Sequence, residues 1–387
     1  MLGRAIRAEW DLDPEFLTVN HGSFGATPRR VIAAQRDWQD RMERQPSRFM
    51  NTVYAGAIRE AAAALGAFVN ADGRDIVFVD NATTGCNAVL RSILLGSISL
   101  GADDDVLVLS HGYGAVRNAV RFVTGNIVEA RVGFPDPTED GLVAAVVAAI
   151  TPTTRLAVID HITSGSGIVL PVGRIVAACH AAGVKVLIDG AHAPGQIDLD
   201  LTAIGADWYV GNCHKWLCAP KGCGFLHAAP DAQAGLHPGT ISHGYGKGFL
   251  AEFDWTGTTE PSRFLAVAEA ISFHTELGGA AMRRRNQELA ARGGELVAAR
   301  LNTQVGTRGA VAGAMATIRL PVDDPSPAHA LAIRQRLMAA GTDAPVHALD
   351  GSLWLRLSAF AYNELDDFAR LAEVVASVLR SSPEDPT

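Results

Sequence analysis

Of the 33 basic side chains in this sequence, only Lys185, Lys215, Lys221 and Lys247 are lysines, and Lys215 sits in the apolar stretch "GNCHKWLCAP" (211–220). Two readings stand for a lysine in that setting. Its stem is buried while its head reaches solvent, or its amine is desolvated, its pKa falls, and it becomes a nucleophile suited to a Schiff base. Upstream, "VKVLIDGAHAPG" ends an apolar run on Asp189, with His192 close behind. A carboxylate at the end of a buried strand needs a cation, unless it caps a helix or closes a salt bridge; a protonated pyridine nitrogen is one such cation. Earlier still, "DIVFVD" runs into Asn81-Ala82-Thr83-Thr84-Gly85 and then a helical pattern. Free N–H groups and two hydroxyls there make either an anion cradle or a plain cap by Thr83 or Thr84. Cradle, strand-end aspartate and lysine together match the three anchors of pyridoxal phosphate (PLP): phosphate, ring nitrogen and aldehyde.

Short β-branched runs alternate with helical patterns between residues 75 and 227. Strands are predicted at 75–80, 105–110, 126–132, 155–160, 184–189, 207–211 and 222–228, separated by segments such as "TTGCNAVLRSILLG", "GAVRNAVRFVTG" and "PVGRIVAACHAAG". This alternation predicts a mainly parallel sheet with helices on both faces and ligands at the carboxyl ends of its strands. After about residue 260 long helices are predicted (261–279, 281–301, 329–340, 364–380), with strands at "AMATIRL" and "SLWLRLS". The expectation is α/β: a large domain, 19–259, and a smaller α+β domain built from 1–18 and 260–387. The tail "SSPEDPT" is expected to fray.

Composition excludes several classes. The net charge of −8 comes with no basic block, and a nucleic-acid surface needs clustered Lys and Arg. The longest apolar run, "LVAAVVAAI" (142–150), is too short to span a bilayer, and the first residues lack a signal-peptide core; a cytoplasmic location is expected. The five cysteines are Cys86, Cys179, Cys213, Cys218 and Cys223. They read as reduced packing residues, and the spacing of the last three fits no usual zinc pattern.

The motifs "NHGSFGATP" (20–28), "NATTG" (81–85), "HGYGAVRN" (111–118), "DHITSGSGIVLPV" (160–172), "DGAHAPG" (189–195), "HKWLCAPKGCGFL" (214–226), "GTTEPS" (257–262) and "LRLSAFAYN" (355–363) occur in one order along the chain. In that order they resemble the class V aminotransferase family of fold-type I PLP enzymes, in its branch similar to isopenicillin N epimerase. The resemblance implies that Lys215 holds the cofactor's aldehyde and later moves protons at Cα, and that Asp189 pairs with the ring nitrogen. It implies His192 and Ser164 near the phenolic oxygen and Tyr113 stacked on the ring. The phosphate would be held by Thr83, Thr84, Asn212 and His214, with Thr258 supplied by the second subunit of a homodimer; Asn212 departs from the family's usual serine. Arg356, placed by period-2 alternation opposite Leu355 and Leu357, resembles the substrate-carboxylate clamp. Asn20, His21 and Ser23 would line the substrate side, and Arg48 would meet a distal substrate carboxylate or a neighbouring subunit.

No cysteine follows Cys223, whereas desulfurases of this class use a mobile cysteine in their C-terminal half, so persulfide formation is disfavoured. The expected function is chemistry at Cα of an amino acid, either β-elimination from an S-substituted cysteine or epimerisation, in natural-product or thiol metabolism. Epimerisation needs a second acid, from Tyr113 or a histidine of "NHGS". Transamination, decarboxylative or oxidative deamination, and a non-catalytic scaffold are the alternatives.

Overall fold

The computed structural model describes residues 2–94 and 100–380. The tail 381–387 and the end of the helical pattern 83–96 lie outside the described residues. All seven strands expected in the first part form, as β1 (Ile76–Val79), β2 (Asp105–Leu109), β3 (Ile127–Ala130), β4 (Thr154–Asp160), β5 (Lys185–Gly190), β6 (Trp208–Asn212) and β7 (Gly224–Ala228). They make one 7-stranded sheet in the order β1-β7-β6-β5-β4-β2-β3. Only β7 runs antiparallel, to β1 and β6; the other neighbours pair in parallel.

The strands lack a polar face because both faces are covered, as parallel sheets require. Alternate residues enter different cores. Ile76, Phe78, Leu107, Leu109, Ala157, Ile159, Val186 and Ile188 pack on one side. Val77, Val79, Val106, Val108, Leu156, Val158 and Leu187 pack on the other. Covering both faces leaves the strand ends as the place where polar side chains can gather.

A second, 3-stranded sheet, order β8-β10-β9, is built from β8 (Met315–Arg319), β9 (Val346–Leu349) and β10 (Ser352–Ser358). Leu353, Leu355 and Leu357 of β10 enter a separate core with Leu289, Ile333, Leu337, Phe368 and Leu371, from the helices Ala280–Arg300, Pro327–Ala339 and Leu365–Arg380. The expected helix 261–279 is divided into Ser262–Leu265 and Val267–Glu276, with Ala266 leaving helical geometry at φ −80°, ψ 0°. The N-terminal segment ties the sheets together. Leu17 and Val19 belong to the second core, and the chain then crosses to the large sheet through the short helix His21–Phe24.

Candidate active site

The carboxyl ends of β4, β5 and β6, with the loops after β1 and β2, converge on a cleft of about 540 Å³. Thr83, Thr84, Tyr113, Ser164, Asp189, His192, Asn212, His214, Lys215 and Ser23 all lie on its wall. Residues scattered over most of the chain are therefore brought to one face by the parallel strands.

Lys215 lies in the turn beyond β6, and its Nζ sits 3.1 Å from His192 Nε2. Trp216 Nε1 donates to His192 Nδ1 at 3.4 Å, so the neutral ring carries its proton on Nε2 and offers it to the lysine lone pair. That arrangement suits a neutral amine. Burial, helped by the nearby Arg356 charge, brings the Lys215 pKa down to about 8, and burial with the Lys215 charge keeps His192 far below its ordinary value. The free amine is the nucleophilic form. Its fraction rises about tenfold per pH unit below pH 8 and saturates above it. Stopped-flow mixing of apoprotein with PLP should show a bimolecular rate that climbs between roughly pH 6 and 8 and then flattens; a rate still rising through pH 10 would contradict the lowered pKa.

The lysine is seated from behind by Gly25. At φ +68° this residue occupies the left-handed region, and a Cβ there would lie 2.2 Å from the His214 carbonyl oxygen and 2.6 Å from that of Lys215. Only glycine satisfies both conditions. Gly25→Ala should lower unfolding free energy by roughly 3 kcal/mol and weaken cofactor retention, read from the denaturant midpoint and the bound-PLP content. An unchanged midpoint would show that the backbone contact is not needed.

Asp189 accepts the Ala191 N–H at 3.0 Å; burial raises its pKa, opposed by that hydrogen bond and by Lys215. Asp160, which the sequence reading passed over, is its register partner on β4. Its carboxylate accepts the Tyr113 N–H at 3.2 Å, and burial followed by the Asp189 charge pushes its pKa up strongly. Two carboxyls thus face the cleft, and among the described residues neither makes an ion pair with a cation. "RLAVID" ends on an aspartate just as "VKVLID" does, so the signal for Asp160 was present.

At the N-terminus of the helix Ala82–Leu94, Asn212 Oδ1 accepts the Ala82 N–H at 2.8 Å and Asn81 Oδ1 accepts that of Thr84 at 3.0 Å. Asn212 therefore braces the cradle through its oxygen and keeps its amide nitrogen for donation into the cleft. His214 Nδ1 lies 3.1 Å from the Cys223 carbonyl and donates to it, which leaves Nε2 to face the cleft. Burial lowers its pKa to about 4; an anion at Nε2 would pull it back up.

Arg356 is buried one layer behind Ser23 and Ser164. Its Nη2 donates to Asn20 Oδ1 at 3.0 Å and Ser23 Oγ at 2.8 Å, and its Nη1 donates to the carbonyl and hydroxyl of Ser164. All these acceptors are neutral, and Nε has no partner. Burial without a carboxylate in contact lowers its pKa to about 10. A buried guanidinium held only by neutral groups gains from an incoming carboxylate.

The chain matches the Aminotransferase class-V family over residues 25–371. It belongs to that family. Similar class V proteins include a putative L-cysteine desulfhydrase 1 of Oryza sativa subsp. japonica, 37% identical over 82% of this chain and 70% of that protein. Isopenicillin N epimerase of Streptomyces clavuligerus is 32% identical over 95% of this chain and 98% of that protein. Among solved structures, the cystine C–S lyase C-DES in complex with cysteine persulfide superposes with a TM-score of 0.78 at 21% identity, covering 94% of this chain and 98% of that one.

The class V cofactor is PLP, and the residues present fit it. A helix N-terminus braced from β6 suits a phosphate, the under-compensated Asp189 suits a protonated ring nitrogen, and an amine of lowered pKa suits an aldehyde. Of the residues named from the sequence, Asn20 and Arg356 stand behind the cleft wall, bonded to each other, and three more lie elsewhere. His21 is buried, stacked on Phe360 at 3.7 Å, with Nδ1 on the Tyr362 hydroxyl at 2.9 Å and Nε2 on the Lys215 carbonyl at 3.1 Å; it supports the lysine backbone rather than lining the cleft. Arg48 is exposed at the end of the short helix Pro46–Arg48, and it is not on the cleft wall. Thr258 is exposed and outside the cleft of its own chain. Cys213, Cys218 and Cys223 pack in the core. No helix among the described residues is long and apolar enough to cross a membrane.

Proposed function

We propose that this class V protein works at Cα of an S-substituted cysteine and breaks its Cβ–sulfur bond, releasing a thiol and, after hydrolysis of the enamine by one water, pyruvate and ammonia. The observation that carries this reading is the Lys215 amine, 3.1 Å from His192 Nε2 and of lowered pKa, on a cleft wall it shares with Asp189. When bound, PLP supplies an electron sink for the pair left on Cα. Lys215 would hold the aldehyde and, as a free amine, take the Cα proton of the substrate. Asp189 keeps the ring nitrogen protonated, and Tyr113 covers the ring while its own N–H is fixed by Asp160. Thr83, Thr84, Asn212 and His214 receive the phosphate, joined by Thr258 of a second subunit in a homodimer. Arg356 takes the α-carboxylate. Ser164 links this clamp to the ring pocket, beside His192 and the phenolic oxygen.

Two facts favour release of a free thiol over capture of sulfur by the protein. Relatives bear the name L-cysteine desulfhydrase, and every cysteine here is buried, with burial holding the Cys86, Cys213 and Cys218 thiols far above their ordinary pKa. Epimerisation is the second reading. It is favoured by the Tyr113 phenol, 43% exposed at the cleft wall, and by the likeness to isopenicillin N epimerase. His21 cannot serve as the second acid, because both ring nitrogens are engaged beneath Lys215.

Incubation with S-substituted L-cysteines in heavy water separates these outcomes. Pyruvate with free thiol supports lysis. Recovered D-amino acid carrying deuterium at Cα replaces it by epimerisation, and pyridoxamine phosphate replaces it by transamination. Arg356→Met should raise KM by about 100-fold, since two charge-assisted hydrogen bonds are lost. Arg356→Lys should restore only part of that loss because a point charge cannot reproduce the fork. A KM unmoved in Arg356→Met would assign the arginine to structure alone.

A further inference from the structure

Lys221 is the other lysine on the wall of the cleft, and among the described residues no acid pairs with its ammonium. Its Nζ donates to the Thr27 hydroxyl at 3.3 Å; the residue is exposed at the rim, and partial desolvation lowers its pKa. Of the three acids on the wall, Asp80 is already bonded to Arg263 at 2.7 Å, and Asp160 and Asp189 accept the backbone N–H groups of Tyr113 and Ala191. The Lys221 charge is felt inside the site, where it helps lower the pKa of both His21 and His214.

The position of this cation relative to Arg356 gives it meaning. The two basic groups hold the same N-terminal segment, Arg356 through Asn20 and Ser23 and Lys221 through Thr27. Between them lies Phe24, 66% exposed and on the cleft wall. A ligand lying along this segment meets Ser23, backed by the Arg356 guanidinium, then the Phe24 ring and then the Lys221 ammonium.

We propose that Lys221 recognises an anionic group at the far end of the substrate side chain, so that the favoured substrates are cysteine conjugates whose sulfur substituent ends in a carboxylate. The inference rests on the amino-acid reading of the site and adds the substrate class. It also replaces Arg48, which lies off the cleft, as the residue that meets a distal acid. The apolar stem of the substituent packs on Phe24, and its carboxylate displaces the weak hydroxyl contact at Thr27.

The test compares S-(2-carboxyethyl)-L-cysteine with its neutral carboxamide, a nearly isosteric pair, on the holoenzyme. Calorimetric dissociation constants and kcat/KM should both favour the acid by about tenfold. Lys221→Met should bring the acid-to-amide ratio close to one, and Lys221→Arg should keep it. Equal affinities for acid and amide in the wild type would overturn the inference even if both are lysed. A tenfold preference in binding that disappears in Lys221→Met would support it even if no sulfur is released, which would instead sink the lysis reading. Should Lys221→Met weaken PLP retention and leave the ratio intact, the lysine belongs to the cofactor phosphate and the inference fails.

Discussion

Lys215→Ala should lower turnover by about 10⁴-fold or more, because it removes both the nucleophile that holds the cofactor and the base that moves the Cα proton. The visible absorbance of the lysine-bound cofactor should vanish at the same time. The fold should survive. The amine makes one hydrogen bond, to His192, while the backbone around it is fixed by His21, Gly25 and the β6–β7 ladder. Circular dichroism and the unfolding midpoint should stay close to wild type. Added primary amines should restore part of the rate, as the cavity left by the side chain opens onto the cleft. A variant that keeps its absorbance band and its activity would place the chemistry on another residue.

Asp189→Asn should be nearly as damaging to catalysis, about 10²- to 10³-fold in kcat/KM. A neutral amide leaves a ring nitrogen without its counter-charge in a buried site, a loss of roughly 3–5 kcal/mol for a broken buried pair. The effect on stability should run the other way. Asp189 is buried with Asp160 beside it, and its pKa is raised in the folded protein. A carboxyl whose folded pKa lies above its unfolded value is stabilised when protonated, so the apoprotein gains stability as pH falls through that raised pKa. Asp189→Asn should remove part of this dependence. The apoprotein of the variant should unfold at a higher denaturant concentration than wild-type apoprotein at neutral pH, and PLP should stabilise it less. A loss of apoprotein stability would mean that Asp189 already has a cation in the folded chain.

These two residues also show how much of the site could be read before the fold was known. Asp189 and Lys215 stand out because each places a charge where the surrounding residues are apolar, and burial of a charge needs a reason. All seven strands of the large sheet could be read from β-branched runs broken by helical spacing, since a sheet covered on both faces leaves continuous apolar segments. Arg356 was named from the resemblance, and alternation supplied its side: Leu355 and Leu357 enter the small core, and the residue between them turns toward Ser23 and Ser164.

Other features were not recoverable from local pattern. β9 is short, "VHAL", with His347 partly buried and Ala348 exposed, and its best signal was the turn Asp350-Gly351, where both residues have positive φ, 45° and 74°. An Asp-Gly pair of that kind specifies a tight hairpin. His21 and Ser23 share the motif "NHGS", yet one faces the core and the other the cleft, because the helix His21–Phe24 spans little more than one turn and points neighbours to opposite sides. Arg48 has the right charge and is exposed, off the cleft wall of its own chain. Lys221 was overshadowed by Lys215, since a lysine near a glycine reads as ordinary surface until it is seen that no acid among the described residues pairs with it.

The central claim is that Lys215 is the residue joined to the cofactor. Reduction of the holoenzyme with borohydride, followed by digestion and mass mapping, measures this directly. The structure predicts one phosphopyridoxyl group, carried by Lys215 in the peptide that contains "HKWLCAPK". A label on Lys221 or on any other amine, or no label on protein shown to be fully loaded, would contradict it.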